Sequence, residues 1–176
     1  DPATGGIDTS GQPSDIVIPP GVLRQPTPTT SFGTFTNLDA SAPTGTTHAS
    51  SVQIYDSLGV SHIETVTMTK TATNGKWDYS ITVPGEDVSG GTAGTPKEIA
   101  KGTLEFNGVG TLTKVDGNDA ADVSITSPTW ANGATAANLS WDLVDANGTP
   151  TITNYAAPSA TSSTVQNGAP TGSVSS

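Results

Sequence analysis

Side chains alternate strictly between apolar and polar from residue 77 to residue 83. The apolar members of this run are Trp77, Tyr79, Ile81 and Val83, and an Asn-Gly pair precedes it at 74–75. Successive side chains of a β-strand point to opposite faces of the sheet, so this spacing predicts a strand with one buried face. Asn-Gly favours tight hairpin turns because both residues tolerate positive φ. We therefore predict a hairpin here, with Trp77, Tyr79 and Ile81 in the core.

Short runs of the same kind recur between turn-forming residues along the whole chain. We predict strands at residues 15–18, 32–38, 51–55, 60–70, 77–83, 103–106, 111–115, 123–125 and 139–143. In the later strands, Leu104, Phe106, Leu139 and Trp141 occupy the apolar phase and are predicted core residues. Glycine (20 residues) and proline (13 residues) interrupt the pattern often, whereas good helix formers are scarce. The sequence predicts an all-β fold, a small sandwich or barrel.

Two segments depart from simple alternation. In the run 60–70, Ile63 is out of phase with Val66 and Met68, which predicts either a β-bulge or burial on both faces. Residues 84–97 contain several glycines and prolines and are predicted to form a loop. Its length is typical of a functional loop, a mobile loop or a tolerated insertion.

The charge balance disfavours two classes of partner. Six Lys and Arg against sixteen Asp and Glu give a formal net charge of −10, which repels nucleic acid and an anionic membrane surface. The chain has no cysteine, which excludes disulfides and thiolate metal sites. It starts at Asp1 and has no apolar stretch of signal-peptide or transmembrane type. We interpret it as a fragment or a processed piece.

Catalytic and metal-binding patterns are weak. His48 and His62 are the only histidines and have no third ligand type beside them, so two surface histidines are predicted rather than a zinc site. No G-x-S-x-G nucleophile motif occurs. The sequence 116–119 with Asp122 superficially resembles a calcium loop, but it lacks the ligand alternation and the final Glu of an EF-hand and is predicted to be a turn. We expect no enzyme activity, no cofactor and no metal.

The acidic and the aromatic residues each allow a functional interpretation, as a glycosidase site and as a sugar-binding surface. The acidic residues on or near predicted strands would suit a glycosidase pair, although a solvated outer face is the simpler interpretation; they are Glu64, Asp78, Glu86, Asp87 and Glu105. The aromatics would suit a sugar-stacking platform, although core packing is favoured; they are Trp77, Tyr79, Trp130 and Trp141.

One hairpin carries a resemblance to a known family. Its sequence, VQIYDSLGVSH at 52–62, resembles the V-x-V-Y-D-S-x-G-x-x-H hairpin of the bacterial flagellar hook protein family; the matching residues are Val52, Ile54, Tyr55, Asp56, Ser57, Gly59 and His62. Further segments resemble that family in the same order, at 69–77, 102–112 and 132–137. The flanks also fit, at 15–21, 37–41, 157–163 and 166–168, so the resemblance covers nearly the whole chain.

The resemblance implies a domain plan. An outer hook β domain at residues 39–157 would be inserted into an inner β domain that is only partly present. Residues 1–38 would supply the first part of that inner domain, and residues 158–176 its return segment. Intact family members carry terminal helices that drive assembly, and no heptad pattern occurs here. We expect this fragment to remain a monomer.

The resemblance also implies a function. The chain would be a structural, secreted subunit of the flagellar hook, a flexible curved tube that acts as a universal joint and transmits motor torque. Its partners would be other copies of itself and neighbouring axial proteins, outside the cell, after export through the flagellar channel. The sequence does not identify the subunit-interface residues. The alternatives are an extracellular carbohydrate-binding or adhesin-type β-sandwich and, within the flagellum, a rod or hook-cap component.

Overall fold

The computed structural model describes residues 23–173 of the 176-residue chain. These residues form thirteen strands and one short 3-10 helix, Gly85–Asp87. Within this range no helix is long and apolar enough to cross a membrane. The predicted all-β fold is confirmed, while the strand predicted at 15–18 lies outside the described residues.

The strands are short, and turns separate most of them. Their bounds are β1 Leu23–Arg24, β2 Ser31–Asn37, β3 Thr47–Tyr55, β4 Ser61–Lys70, β5 Lys76–Val83, β6 Lys97–Phe106, β7 Leu112–Val115, β8 Asn118–Asp119, β9 Val123–Thr126, β10 Asn138–Asp142, β11 Ile152–Thr153, β12 Ala160–Gln166 and β13 Gly172–Ser173.

Six consecutive strands form one antiparallel sheet in the order β3-β4-β5-β6-β7-β8. Hairpins alone can connect such a meander, and the chain supplies a turn after each strand. The register from β3 to β4 is continuous, with Val52 opposite Glu64 and Ile54 opposite His62. Further along the sheet the register shifts twice, in the β5–β6 pair between Ile81 and Thr82 and in the β6–β7 pair between Glu105 and Phe106.

A second sheet combines strands from both ends of the described chain. β2 pairs in parallel with β10 and β11 and antiparallel with β12, while β9 lies beyond β10. β2 is therefore hydrogen-bonded on both sides. β2 and β12 lie outside the predicted outer domain at 39–157, yet they share this sheet with three strands inside it. That domain division stays a prediction.

A small two-stranded sheet lies where the two ends of the described chain meet. β1 pairs with β13, with Leu23 opposite Ser173, and an isolated bridge joins Thr27 to Ala169. The chain thus enters and leaves the larger sheets along neighbouring paths.

Aromatic contacts join the two large sheets into one core. Trp141 of β10 stacks with Phe32 of β2 and meets the edge of Tyr79 of β5, with ring centroids 6.5 Å and 5.2 Å apart respectively. The Trp141 indole Nε1–H donates to Thr34 Oγ1 at 3.3 Å, which satisfies its polar atom inside the core. The apolar residues of both sheets belong to the same buried cluster.

Strand β4 departs from both sequence interpretations. It has neither a bulge nor burial on both faces: the inward positions are His62, Glu64, Val66, Met68 and Lys70, and Ile63 points outward with 46% of its surface exposed. The prediction that His62 lies on the surface is wrong, and so is the placement of Glu64 on a solvated face. β6 also begins earlier than predicted, at Lys97 rather than residue 103.

Glu64 is a buried carboxyl whose oxygens form no hydrogen bond with the described residues. The residue is 0% exposed. Burial disfavours the charged form and raises the pKa of Glu64 from 4.5 to about 8. The folded protein therefore holds a proton at Glu64 that the unfolded chain releases above pH 4.5. Stability from this group is fully present below pH 4.5 and is lost as pH rises to about 8.

Replacing Glu64 by Gln removes this pH dependence. Between pH 4.5 and pH 7, the wild-type free energy of unfolding should fall by ~3 kcal/mol relative to that of Glu64→Gln. Urea unfolding at several pH values measures the difference. Glu105→Gln is the control, because Glu105 is only half-buried and pairs with Lys76 at the surface. An equal slope in wild type and Glu64→Gln would show that another group is responsible.

Candidate functional site

The β3–β4 turn is built around the Asp56 side chain. Asp56 Oδ1 accepts hydrogen bonds from the backbone N–H groups of Leu58 (2.8 Å) and Val60 (2.9 Å). The Asp56 backbone N–H donates to the Val60 carbonyl, and Gly59 N–H donates back to the Asp56 carbonyl. Gly59 has φ +81°, a conformation that glycine adopts without strain. The D-x-x-G-x sequence therefore specifies this turn locally.

Two other hairpin turns use the same pattern. In the turns at 107–111 and 145–149, the side-chain oxygen of the first residue also accepts from the third and fifth N–H groups. The fourth residue is again a glycine at positive φ, Gly110 or Gly148. The turn at Asp56 differs from these two in its surroundings, because its carboxylate is buried at 3% exposure and makes further contacts.

His62 lies between two carboxylates. Its ring Nε2 is 3.1 Å from Asp56 Oδ2, and its Nδ1 is 2.9 Å from Asp87 Oδ2. The imidazole stacks on Trp130, with ring centroids 3.9 Å apart and planes inclined by 10°. His62 and Trp130 are 5% and 3% exposed. A histidine whose two nitrogens both contact carboxylates has no free ring atom for a substrate or a metal.

The segment after Trp130 completes this cluster. The Asn132 side-chain Nδ2 donates to Asp56 Oδ2 at 2.5 Å, and Asn132 Oδ1 accepts from Ala134 N–H at 3.0 Å. The Ser57 hydroxyl accepts from Thr135 N–H at 2.8 Å. The buried polar groups of the turn thus obtain their partners from a segment more than 70 residues away. We call Asp56, His62, Asp87, Trp130 and Asn132 the hairpin cluster.

Hydrogen bonding decides the charge of Asp56. Burial alone would raise the pKa of this carboxyl, but the hydrogen bonds from Asn132, His62 and the Val60 and Leu58 N–H groups outweigh it and lower the pKa below 3.8. The folded state therefore favours ionised Asp56. The stability that this provides is present above pH 3.8 and is lost as pH falls through the lowered pKa.

The same turn touches the ends of the described chain. Tyr55 N–H donates to Thr29 Oγ1, and Thr29 N–H donates to the Tyr55 carbonyl, each at 2.9 Å. A Cβ atom on Gly59 would lie 2.8 Å from Pro26 Cβ and 3.0 Å from Thr171 Oγ1. The hairpin therefore contacts four separate segments, at 26–29, 87, 130–135 and 171.

The structure places the predicted hairpin residues in three kinds of environment. Val52 and Ile54 enter the core, Tyr55 and Ser57 are partly buried, and Asp56 and His62 are buried in the hairpin cluster. The predicted core residues are all 8% exposed or less; they are Trp77, Tyr79, Ile81, Leu104, Phe106, Leu139 and Trp141. Sequence reasoning did not assign Asp87, Trp130 and Asn132 to this site. The only available signal was the 132–137 segment of the family resemblance.

The other candidate residues do not converge on a site. Glu105 pairs with Lys76, and Glu86 accepts from Gly94 N–H. His48 is partly buried and 3.0 Å from Thr161 Oγ1, and burial lowers its pKa. Asp116 accepts from Tyr79 Oη and Thr103 N–H, and Asp122 from Leu143 and Val144 N–H. Among residues 23–173, no group of three or more His, Cys, Asp or Glu side chains is arranged to hold a metal.

The aromatic platform does not form. Trp77, Tyr79, Trp130 and Trp141 are each 3% exposed or less. A sugar ring stacks on an exposed aromatic face, and these faces are covered by the core or by His62. The hairpin cluster is therefore best described as a structural joint between segments.

Comparisons with known proteins connect this fold to the flagellum. The model of the flagellar basal body protein FlaE D2 domain family matches residues 24–169. A search of curated proteins finds no match. Among solved structures, the chain resembles a 32 kDa fragment of the flagellar hook protein FlgE from Caulobacter crescentus, with a TM-score of 0.56 and 22% identity. The match covers 68% of this chain and 46% of that fragment, so the chain spans less than half of this relative.

Removal of the Asp56 carboxylate should destabilise the protein far more than removal of its counterpart in a matching turn. Asp56→Ala leaves two N–H groups, His62 and Asn132 without their acceptor, at a cost of ~3–5 kcal/mol. Asp145→Ala removes the same two turn hydrogen bonds at an exposed site, where water replaces them, and should cost much less. Denaturant unfolding at pH 7 measures both. Equal losses would show that the buried partners contribute nothing.

The Gly59 position should reject alanine for a second reason besides backbone strain. Gly148 has φ +78° with open space around its Cβ position, so Gly148→Ala should cost ~1 kcal/mol through conformation alone. Gly59→Ala should cost ~1–3 kcal/mol more, because the new methyl group meets Pro26 and Thr171. Thermal unfolding of the two variants gives the comparison. If both lose the same stability, the contact with Pro26 is unimportant.

Proposed function

The chain belongs to the flagellar basal body protein FlaE D2 domain family, and from this membership we propose that it is part of a structural subunit of the bacterial flagellar hook. The family match carries the proposal, since residues 24–169 include every strand from β2 to β12. The β-sheet likeness to the hook protein fragment supports it. In this proposal the subunit works by assembly and performs no chemistry.

The proposed partners are other copies of the subunit and neighbouring axial proteins. The polymer would be a flexible curved tube outside the cell, reached by export through the flagellar channel, and it would transmit motor torque as a universal joint. A joint that bends needs contacts that slide, and polar, hydrated surfaces permit this better than large apolar ones. Strands β4 and β5 place mainly Thr, Ser and charged side chains on their outward face, which suits such contacts.

The proposed domain plan is an outer domain inserted into an inner domain built from the flanks, with the outer domain extended from 39–157 to include β2 and β12. The pairing of β1 with β13 supports the idea of an insertion, because it brings the entering and leaving chain together. β2 and β12 pair within the second sheet, and Phe32 of β2 belongs to the core, which supports placing these flanking strands in the outer domain. In that form, the junction would lie between β1 and β2 and between β12 and β13.

An epitope tag would locate the protein in the cell. The turn at 145–149 is suitable for insertion after Asn147, because it is exposed and a Cβ at Gly148 would meet no atom within 4 Å. We expect immunogold label on the short curved tube between the cell envelope and the filament of intact flagella. A strain lacking the gene should lose this tube and its motility, and the tagged gene should restore both.

Other labelling patterns would separate the alternatives. Label confined to the rod or to the growing tip would favour a rod or cap component. Label over the cell surface, with binding of the purified chain to a glycan array, would favour the adhesin alternative. Either result would contradict assignment to the hook.

A further inference from the structure

The segment 84–96 is a compact loop that is held together by its own backbone. A Cβ on Gly85 would collide with the carbonyl oxygens of Thr92 and Thr95, and one on Gly91 would collide with the Gly85 carbonyl. These close approaches pack the two halves of the loop against each other. The loop is therefore a single body, and its position depends on what ties it to the rest of the molecule.

Three polar links tie this loop to its neighbours. Ser89 N–H donates to the Thr129 carbonyl, and Ala131 N–H donates to the Asp87 carbonyl, both at 2.8 Å. The third link is the contact of 2.9 Å between Asp87 Oδ2 and His62 Nδ1. Among residues 23–173, the His62–Asp87 contact is the only side-chain hydrogen bond between the loop and the β3–β4 hairpin.

The number of protons on His62 controls that link. A neutral imidazole has one N–H and one lone pair, whereas the doubly protonated ring has two N–H donors. Here both ring nitrogens contact carboxylate oxygens, at 3.1 Å and 2.9 Å. Only the doubly protonated ring donates to both. With one proton removed, a nitrogen lone pair faces a carboxylate, which is a repulsive contact inside a buried site.

We infer that Asp56, His62 and Asp87 form a pH-dependent latch, closed when His62 carries two protons, that holds the 84–96 loop against the β3–β4 hairpin. When His62 loses a proton, the contact with Asp56 is retained, because Asp56 is also fixed by Asn132 and the turn. Asp87 is the partner that leaves, since its side chain is 29% exposed and can be solvated.

The other charged groups around His62 are few. Asp56 faces the ring from the turn, and Asp87 faces it from the 3-10 helix. The nearby side chains of the 130–135 segment, Trp130 and Asn132, are uncharged. Glu86 is directed to Gly94 N–H within the loop. Glu64 lies two residues from His62 on the same inward face, and burial raises its pKa to about 8. Ionisation of Glu64 is a second source of pH dependence and must be separated from the latch.

Opening the latch would change the surface of the molecule. The loop forms one wall of a groove beside the exposed Ile63; its lining includes Pro84, Gly85 and Pro96. Release of the loop would remove this wall, break the backbone bridge between Val88 and Trp130 and expose the buried Val88 side chain. The latch thus couples proton concentration to the exposure of an apolar surface.

Amide hydrogen exchange on the 176-residue chain tests the latch. After correction for intrinsic exchange, we expect the protection of the Ser89 and Ala131 amides to fall at least tenfold between pH 5.5 and pH 8.5. The fall should follow the titration of the His62 ring protons observed by NMR in the same sample. Amides of β5, in the middle of the six-stranded sheet, should keep their protection over this range.

Variants identify the responsible group. His62→Gln should give low protection of Ser89 and Ala131 at every pH, and Asp87→Asn should abolish the pH dependence even if His62→Gln fails to fold. His48→Gln and Glu64→Gln should retain the pH dependence of the wild type. Constant protection while His62 titrates would overturn the inference. So would an unchanged profile in Asp87→Asn, or loss of the pH dependence in Glu64→Gln.

Discussion

Both large sheets depend on one shared core, because each has a single apolar face that must be kept from water. Only 32% of the residues are hydrophobic, so a few large side chains must provide most of the contact area between the sheets. Trp141 has the central place, since it touches Phe32 within its own sheet and Tyr79 in the opposite one. β2, which carries Phe32, is held in position by strands from distant parts of the chain. This topology therefore brings the few large aromatic side chains of the two sheets into contact with one another.

The sequence predicts most of the longer strands but neither β12 nor the hairpin cluster, and the reason is the range of the interactions. Alternation and turn residues are local, so β5 and its core residues follow directly from residues 74–83. The inward position of His62 does not, because its contacts Asp87 and Trp130 come from two other segments. If polar side chains are assumed to be exposed, His62 and Glu64 are wrongly assigned to the surface. β4 keeps perfect alternation, with polar residues at three of its five inward positions.

The three matching turns show how a common local structure acquires different roles. The turns at 56–60, 107–111 and 145–149 have the same side-chain-to-backbone hydrogen bonds and the same glycine at positive φ. Each hairpin is therefore specified by about five residues, independently of the rest of the fold. The space next to the glycine differs between the turns. A Cβ atom at Gly148 would have no neighbour within 4 Å, whereas one at Gly110 would meet Asn154 and one at Gly59 would meet Pro26 and Thr171. The difference lies in the segments that the surrounding chain brings to the turn.

The pairing of β1 with β13 has a mechanical consequence. The two strands are antiparallel and hold the entering and leaving chain side by side, and β2 and β12 continue the same antiparallel arrangement into the second sheet. A force that pulls the two neighbouring chain paths apart loads the interstrand hydrogen bonds one after another, as in a zipper, rather than all at once in shear. The β1–β13 pair would yield first and absorb small extensions reversibly. The hydrogen bonds of the second sheet would stay intact until the peeling reached Gln166 and Phe32, so the short ribbon would yield before the stiffer sheet behind it.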